Sequence, residues 1–186
     1  MVTLSALWLP ILLSAIAAWI LNAVFWTASP HHKTDWKALP EEGGILAALR
    51  TAGVGPGMYH FPRQVRGEKG ADPAARAAAE SGPAGFLVVR APGTQSMGTP
   101  MVLSFVLNLV VAVLVAYVAS VGLAPGTSYI DVFRLVTTVV FAAYAVAKFS
   151  DAIWFGYAWS SVWKNAVDAA IIALVTGGIF GWLWPL

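Results

Sequence analysis

The chain has 186 residues, of which 59% are hydrophobic and only 11% charged, and its mean hydropathy is +0.73. A soluble domain carries about 25% charged residues, so this composition excludes an ordinary cytosolic enzyme, an acidic disordered tail and a nucleic-acid-binding protein. It leaves an integral membrane protein whose first partner is the lipid bilayer. Cysteine is absent and the net charge is +2, which excludes disulfide scaffolds, thiolate metal sites, iron–sulfur clusters and cysteine nucleophiles.

In chain order, the first uncharged stretch predicts a transmembrane helix over Leu4–Trp26. It has no basic leader and a longer apolar run than a signal peptide, so it reads as a retained helix. The stretch Ala91–Ile130 predicts a second helix over Met101–Leu123. A third, Asp131–Ser150, needs Arg134 and Lys148 to snorkel to opposite interfaces. A fourth runs over Asn165–Trp184, with Asp168 near its start and Pro185 ending it. The apolar runs are continuous and lack the period-2 alternation of a membrane barrel. The expected fold is all-α, with one helix in residues 1–26, an extramembrane cap in 27–100 and three helices in 101–186.

The loop Thr27–Pro100 is 74 residues long, a length at which unstructured connections are uncommon. Pro40-Glu41-Glu42 followed by Ile45, Leu46 and Leu49 reads as a helix start, and Gly53 as its stop. Asp72-Pro73 reads as the opening of a second helix over Ala74–Glu80. Phe86–Val89 is a β-type run, with Met58–Phe61 as its candidate partner. The expectation is a compact cap of two short helices and a hairpin.

Four spans put both termini on one side and the long loop on the other. The loop side holds ten of the eleven Lys/Arg residues, and Arg134 alone lies on the termini side. Positive-inside then predicts a cytoplasmic loop and periplasmic termini in a bacterial inner membrane.

Small residues recur every fourth position on two helices. One ridge carries Ser104, Asn108, Ala112, Ala116 and Ser120, and another carries Ala169, Ala173, Gly177 and Gly181. Such stripes let helix backbones approach closely in lipid. They serve either contacts within one bundle or a subunit interface on the last helix. The tryptophans, among them Trp8, Trp19 and Trp26, read as interfacial belts.

Polar groups in the membrane carry the functional reading. Asn22, Asn108, Lys148, Asp151, Lys164, Asn165 and Asp168 converge on the loop-side half of the bundle, with Asn22 and Asn108 at depths of roughly 6 and 10 Å. Lys148 can pair with Asp151, Lys164 with Asp168, and Asn22 with Asn108, which pins the helices. Alternatively, Asn22, Asn108, Lys148, Asp151, Lys164 and Asp168 line a polar cavity for an ion, lipid headgroup or amphiphile. His31, His32 and Asp35 form a weaker metal candidate, since the usual metalloenzyme spacings are missing. No nucleophile–base set, nucleophile elbow or phosphate loop is present, so no catalytic residues and no cofactor are expected.

Three segments carry a resemblance. They are Phe25-Trp26-Thr27-Ala28-Ser29-Pro30, Leu103-Ser104-Phe105-Val106-Leu107-Asn108, and Trp163-Lys164-Asn165-Ala166 with the later Thr176-Gly177-Gly178-Ile179-Phe180-Gly181-Trp182. In these the chain resembles domain-of-unknown-function family 1761, small multi-pass bacterial inner-membrane proteins. The first motif has Thr-Ala where the family has Tyr, and the long loop has no counterpart in its pattern. The resemblance implies a four-helix membrane protein and no particular reaction. The sequence reading is therefore a non-enzymatic homo-oligomer or accessory subunit of a membrane complex. Its alternatives are a small transporter or binding protein built on the polar cluster, and an interfacial metalloenzyme.

Overall fold

A computed structural model describes residues 2–62, 77, 80–93 and 96–186. They divide into two units, residues 2–36 with 96–186, and the described part of 37–95.

The first unit is a bundle of four helices, each long and apolar enough to cross a membrane. Helix α1 (Trp8–Thr27) follows a 3-10 turn over Leu4–Leu7. It stops before Ser29-Pro30, because proline offers no N–H to continue the ladder and disfavours helix in the residue before it. The amides of Ala28 and Ser29 both close onto the Val24 carbonyl. A 3-10 turn over His31–Thr34 follows directly.

In the second unit, α2 (Glu42–Thr51) ends in a Schellman turn. Gly53, at φ 66°, donates to the Arg50 carbonyl, and Val54 donates to that of Leu49. Strands β1 (Gly57–Phe61) and β2 (Gly85–Val89) pair antiparallel, with Tyr59 opposite Leu87. The expected helix over Ala74–Glu80 falls mostly outside the described residues.

Returning to the bundle, α3 (Gly98–Gly122) starts three residues before the apolar run suggests. Helix α4 (Tyr129–Phe155) is longer than its expected span. Ser128 caps it, its Oγ accepting from the Asp131 backbone N–H at 3.4 Å and donating to the Asp131 carboxylate at 2.6 Å. Gly156, at φ 70°, ends it. A π segment over Ala142–Val146 interrupts α4 at mid-length. Helix α5 (Trp159–Trp182) begins six residues earlier than expected, which carries Ser161 and Lys164 into its first turns.

Helix α5 packs against α4 and α1, and α1 packs against α3. Leu7, Val115, Val132, Val136, Val140, Ile172 and Phe180 fill the core. Large apolar side chains such as Leu103, Leu107, Leu114 and Val121 point outward from α3, as they do where lipid is the solvent. At the far end, Trp184 Nε1 donates to the Ala124 carbonyl at 3.0 Å, and Gly126 N donates to that of Pro185 at 2.9 Å.

Candidate functional site: a carboxylate–imidazole cluster

The turn after α1 and the start of α5 build one connected polar site. In a 3-10 turn, residues three apart eclipse each other, so His32 and Asp35 lie on the same side. His32 Nδ1 is 2.7 Å from Asp35 Oδ2. On α5, Ser161, Lys164 and Asp168 are spaced by three and four residues and so share a face. That face meets the turn. Asp35 accepts from Lys164 Nζ at 2.6 Å and from Ser161 Oγ at 3.0 Å. Lys164 also donates to Thr34 Oγ1 at 2.8 Å.

Asp168 is the shared acceptor. His32 Nε2 lies 2.6 Å from its Oδ2, and His31 Nε2 lies 3.0 Å from its Oδ1. The outer nitrogen of His31 faces Ser29 Oγ at 2.5 Å. Trp26 covers His32 face to face, with ring centroids 4.1 Å apart and planes at 3°. The side chains of His32, Asp35 and Asp168 are buried, and that of His31 is one-third exposed (33%). The site therefore reaches the outside past His31.

Hydrogen-bond logic fixes the protonation. Both nitrogens of His32 face carboxylates, and a carboxylate only accepts, so His32 is an imidazolium. His31 bridges Ser29 Oγ through Nδ1 and Asp168 through Nε2. The charges of His32 and Lys164 then balance those of Asp35 and Asp168. Burial pushes the His32 pKa down, but the hydrogen bonds to Asp35 and Asp168 and their charges outweigh it, and the net shift is upward. Burial likewise pushes Asp35 up. Hydrogen bonds from His32, Lys164 and Ser161, with the Lys164 charge, bring it down to about 2.

Of the polar residues expected to line a cavity, Lys164 and Asp168 enter this cluster. Each bonds across to the turn, Lys164 to Asp35 and Asp168 to the histidines, and neither makes the local i, i+4 pair with the other. Lys148 pairs with Asp151 at 3.5 Å on a more exposed surface. Asn22 donates to the Ala18 carbonyl of its own helix at 2.9 Å, so it makes no Asn22–Asn108 bond. Asn108 donates to the Ser104 carbonyl and accepts from Tyr144 at 2.5 Å. His31, His32 and Asp35 do come together, but Asp168 completes the donor set. The ligating atoms of His31, His32 and Asp168 lie within 4.8 Å of one another.

The packing residues lie along helix contacts. Ser104 Oγ accepts from Trp19 Nε1 at 3.2 Å. Ala112, Ala116, Ala169 and Ala173 are buried. Gly177 and Gly181 face α4 of the same chain, against Phe133, Thr137 and Tyr129.

Together, the fold and the site define a four-span membrane protein with a buried, charge-balanced carboxylate–imidazole cluster at one end of the bundle. No family model, curated protein or solved structure matches the chain.

Proposed function

We propose that this is an ion-binding protein of the bacterial inner membrane, and that its ligand is a divalent transition-metal ion of the zinc class held by His31, His32 and Asp168. One observation carries the reading. Two imidazole Nε2 atoms converge on a single carboxylate, while each Nδ1 is held from outside, by Ser29 or Asp35. Imidazole nitrogen and carboxylate oxygen suit such ions, and metal-binding histidines ordinarily have the second nitrogen tied in this way. Binding at His32 would release its Nε2 proton while Nδ1–H stays on Asp35, and His31 would bind as the neutral imidazole with its proton on Nδ1, where Ser29 Oγ accepts it. The half-buried His31 leaves a side open for entry. Among the described residues, the charged groups toward the opposite end are Asp131 and Arg134, both exposed at its rim. This favours binding over conduction. Membership of family 1761, periplasmic termini and a cytoplasmic loop belong to the same proposal.

One observation favours a second reading, a structural lock. The cluster is already charge-balanced and hydrogen-bonded without an ion.

Titration of chelator-stripped protein with Co2+ separates the two. One equivalent with visible ligand-field bands, lost in Asp168→Asn and His32→Ala, supports the metal site. No saturable binding overturns it and leaves the lock.

A further inference from the structure

The middle of the bundle holds a second polar feature, which shares no residue with the carboxylate–imidazole cluster. Ser14 of α1 is 1% exposed, and its Oγ has no hydrogen-bond partner. Serines within helices usually donate to a carbonyl three or four residues back. Ser104 and Ser120 do so here, to Met101 and Tyr117. Ser14 does not, although its helix offers the Ile11 and Pro10 carbonyls. Its hydroxyl lines a cavity of about 10 Å³ together with Asn108, Tyr144 and Thr176. Each of the four spanning helices contributes one of these residues. The π segment of α4 contains Tyr144, and such bulges commonly occur where a side chain must be re-aimed for a purpose.

A buried hydroxyl without a partner forfeits the bond it made to water in the unfolded chain. A cavity lined only by carbon would stay dry, but a polar one the size of a single water-sized sphere suits one water making two to four bonds. The acceptors are available. Asn108 Oδ1 uses one lone pair on Tyr144, and the Tyr144 oxygen donates its only proton to Asn108, so both oxygens can still accept. No lining side chain carries a charge, which disfavours a cation, and the volume excludes anything larger than water. We infer that this cavity is a binding site for one ordered water molecule, which accepts from Ser14 and donates to the Asn108–Tyr144 pair. The water joins α1 to α3 and α4 at a depth where bulk solvent does not reach.

Radiolytic footprinting tests this on the intact protein in lipid nanodiscs, because hydroxyl radicals formed from a bound water oxidise the side chains beside it. Tyr144 is expected to label several-fold faster than Phe180, which is fully buried and lies outside the cavity lining. Ser14→Val fills the space, so the Tyr144 label, which its partly buried ring keeps above zero, should drop several-fold. Labelling no faster than Phe180, or labelling unchanged in Ser14→Val, overturns the inference. The sign of Ser14→Ala is an independent readout. With water present it removes a bond and lowers the melting temperature. In a dry cavity it relieves an unpartnered hydroxyl and raises it, which would also overturn the inference.

Discussion

The His32 imidazole lies 2.6 Å from the Asp168 carboxylate, a contact that joins residues 136 positions apart and ties the turn after the first span to the last one. Asp168 also receives His31, at 3.0 Å. Asp168→Asn keeps the shape but leaves the His32 and Lys164 cations facing Asp35 alone. Removing one member of a buried ion network costs about 3–5 kcal/mol, and thermal unfolding in detergent should register a loss of that order. Lys164→Met should cost less, because the lysine side chain is a quarter exposed (24%) and exposed pairs contribute little. Equal stability of Asp168→Asn and the parent protein would show that the network carries no tertiary load.

The same network sets a pH window for the chelator-treated protein. The groups facing His32 are Asp35 and Asp168, with Lys164 and Ser161 behind Asp35 and His31 beside Asp168. His32 is raised above its ordinary 6.5. Its contribution is full below 6.5 and is lost as the pH climbs through the raised value. Asp35 is lowered from 3.8 to about 2. Its contribution is full above 3.8 and drains away as the pH falls toward about 2. Melting temperature should therefore plateau between these limits and decline on both sides. In His32→Gln the alkaline decline should vanish while the acid limb remains. A parent protein with no alkaline decline would contradict the imidazolium assignment.

The four spans are legible in the sequence because lipid demands long apolar runs, and those runs are there. The cluster is only half legible. His32 with Asp35, and Ser161, Lys164 and Asp168 at helical spacing, are each local patterns. What joins them is the docking of a turn onto a helix more than 120 residues away, and no single-sequence periodicity encodes that. Local pairing rules mislead here. Lys164 and Asp168 have ideal i, i+4 spacing, yet Asp35 and the histidines compete for them and win, because buried charges take the partners that satisfy the most bonds. Ser29 and Ser161 carry no signal beyond lying three or four residues from a charged group. Tyr144 was hidden because an aromatic residue inside an apolar run resembles any core residue, and the π segment that holds it leaves no mark in the composition.

Sidedness can be read directly, since the chain contains no cysteine and single introduced thiols have no background. Ser81 and Ala124 are both exposed. Ser81 lies in the long loop, and Ala124 in the connection between α3 and α4. Ten of eleven basic residues lie on the loop side, so positive-inside predicts a cytoplasmic Ser81. In spheroplasts, an impermeant maleimide should label Ala124→Cys at once and Ser81→Cys only after permeabilisation. The reverse pattern would invert the proposed orientation and place the His31 opening on the outer face.

The glycines of α5 separate internal packing from self-association. A Cβ on Gly177 would collide with Thr137 Oγ1 and come within 3.1 Å of the Phe133 carbonyl oxygen. On Gly181 it would meet the Tyr129 ring at 2.8 Å and the Tyr129 carbonyl oxygen at 3.2 Å. Backbone oxygens cannot swing aside as a side chain can. Overpacking of this kind costs about 1–3 kcal/mol, set against the helix propensity of about 1 kcal/mol that alanine regains over glycine. Gly178 is the control on the same turn, since its Cβ would find only the Tyr129 hydroxyl, at 3.7 Å. Gly177→Ala and Gly181→Ala should therefore lower the melting temperature, and Gly178→Ala should hold or raise it. Size-exclusion light scattering supplies the second axis. If these glycines serve only the α4–α5 contact, copy number is unchanged in all three variants. A drop in copy number without loss of stability in Gly177→Ala would move this face from the interior of one chain to an interface between chains.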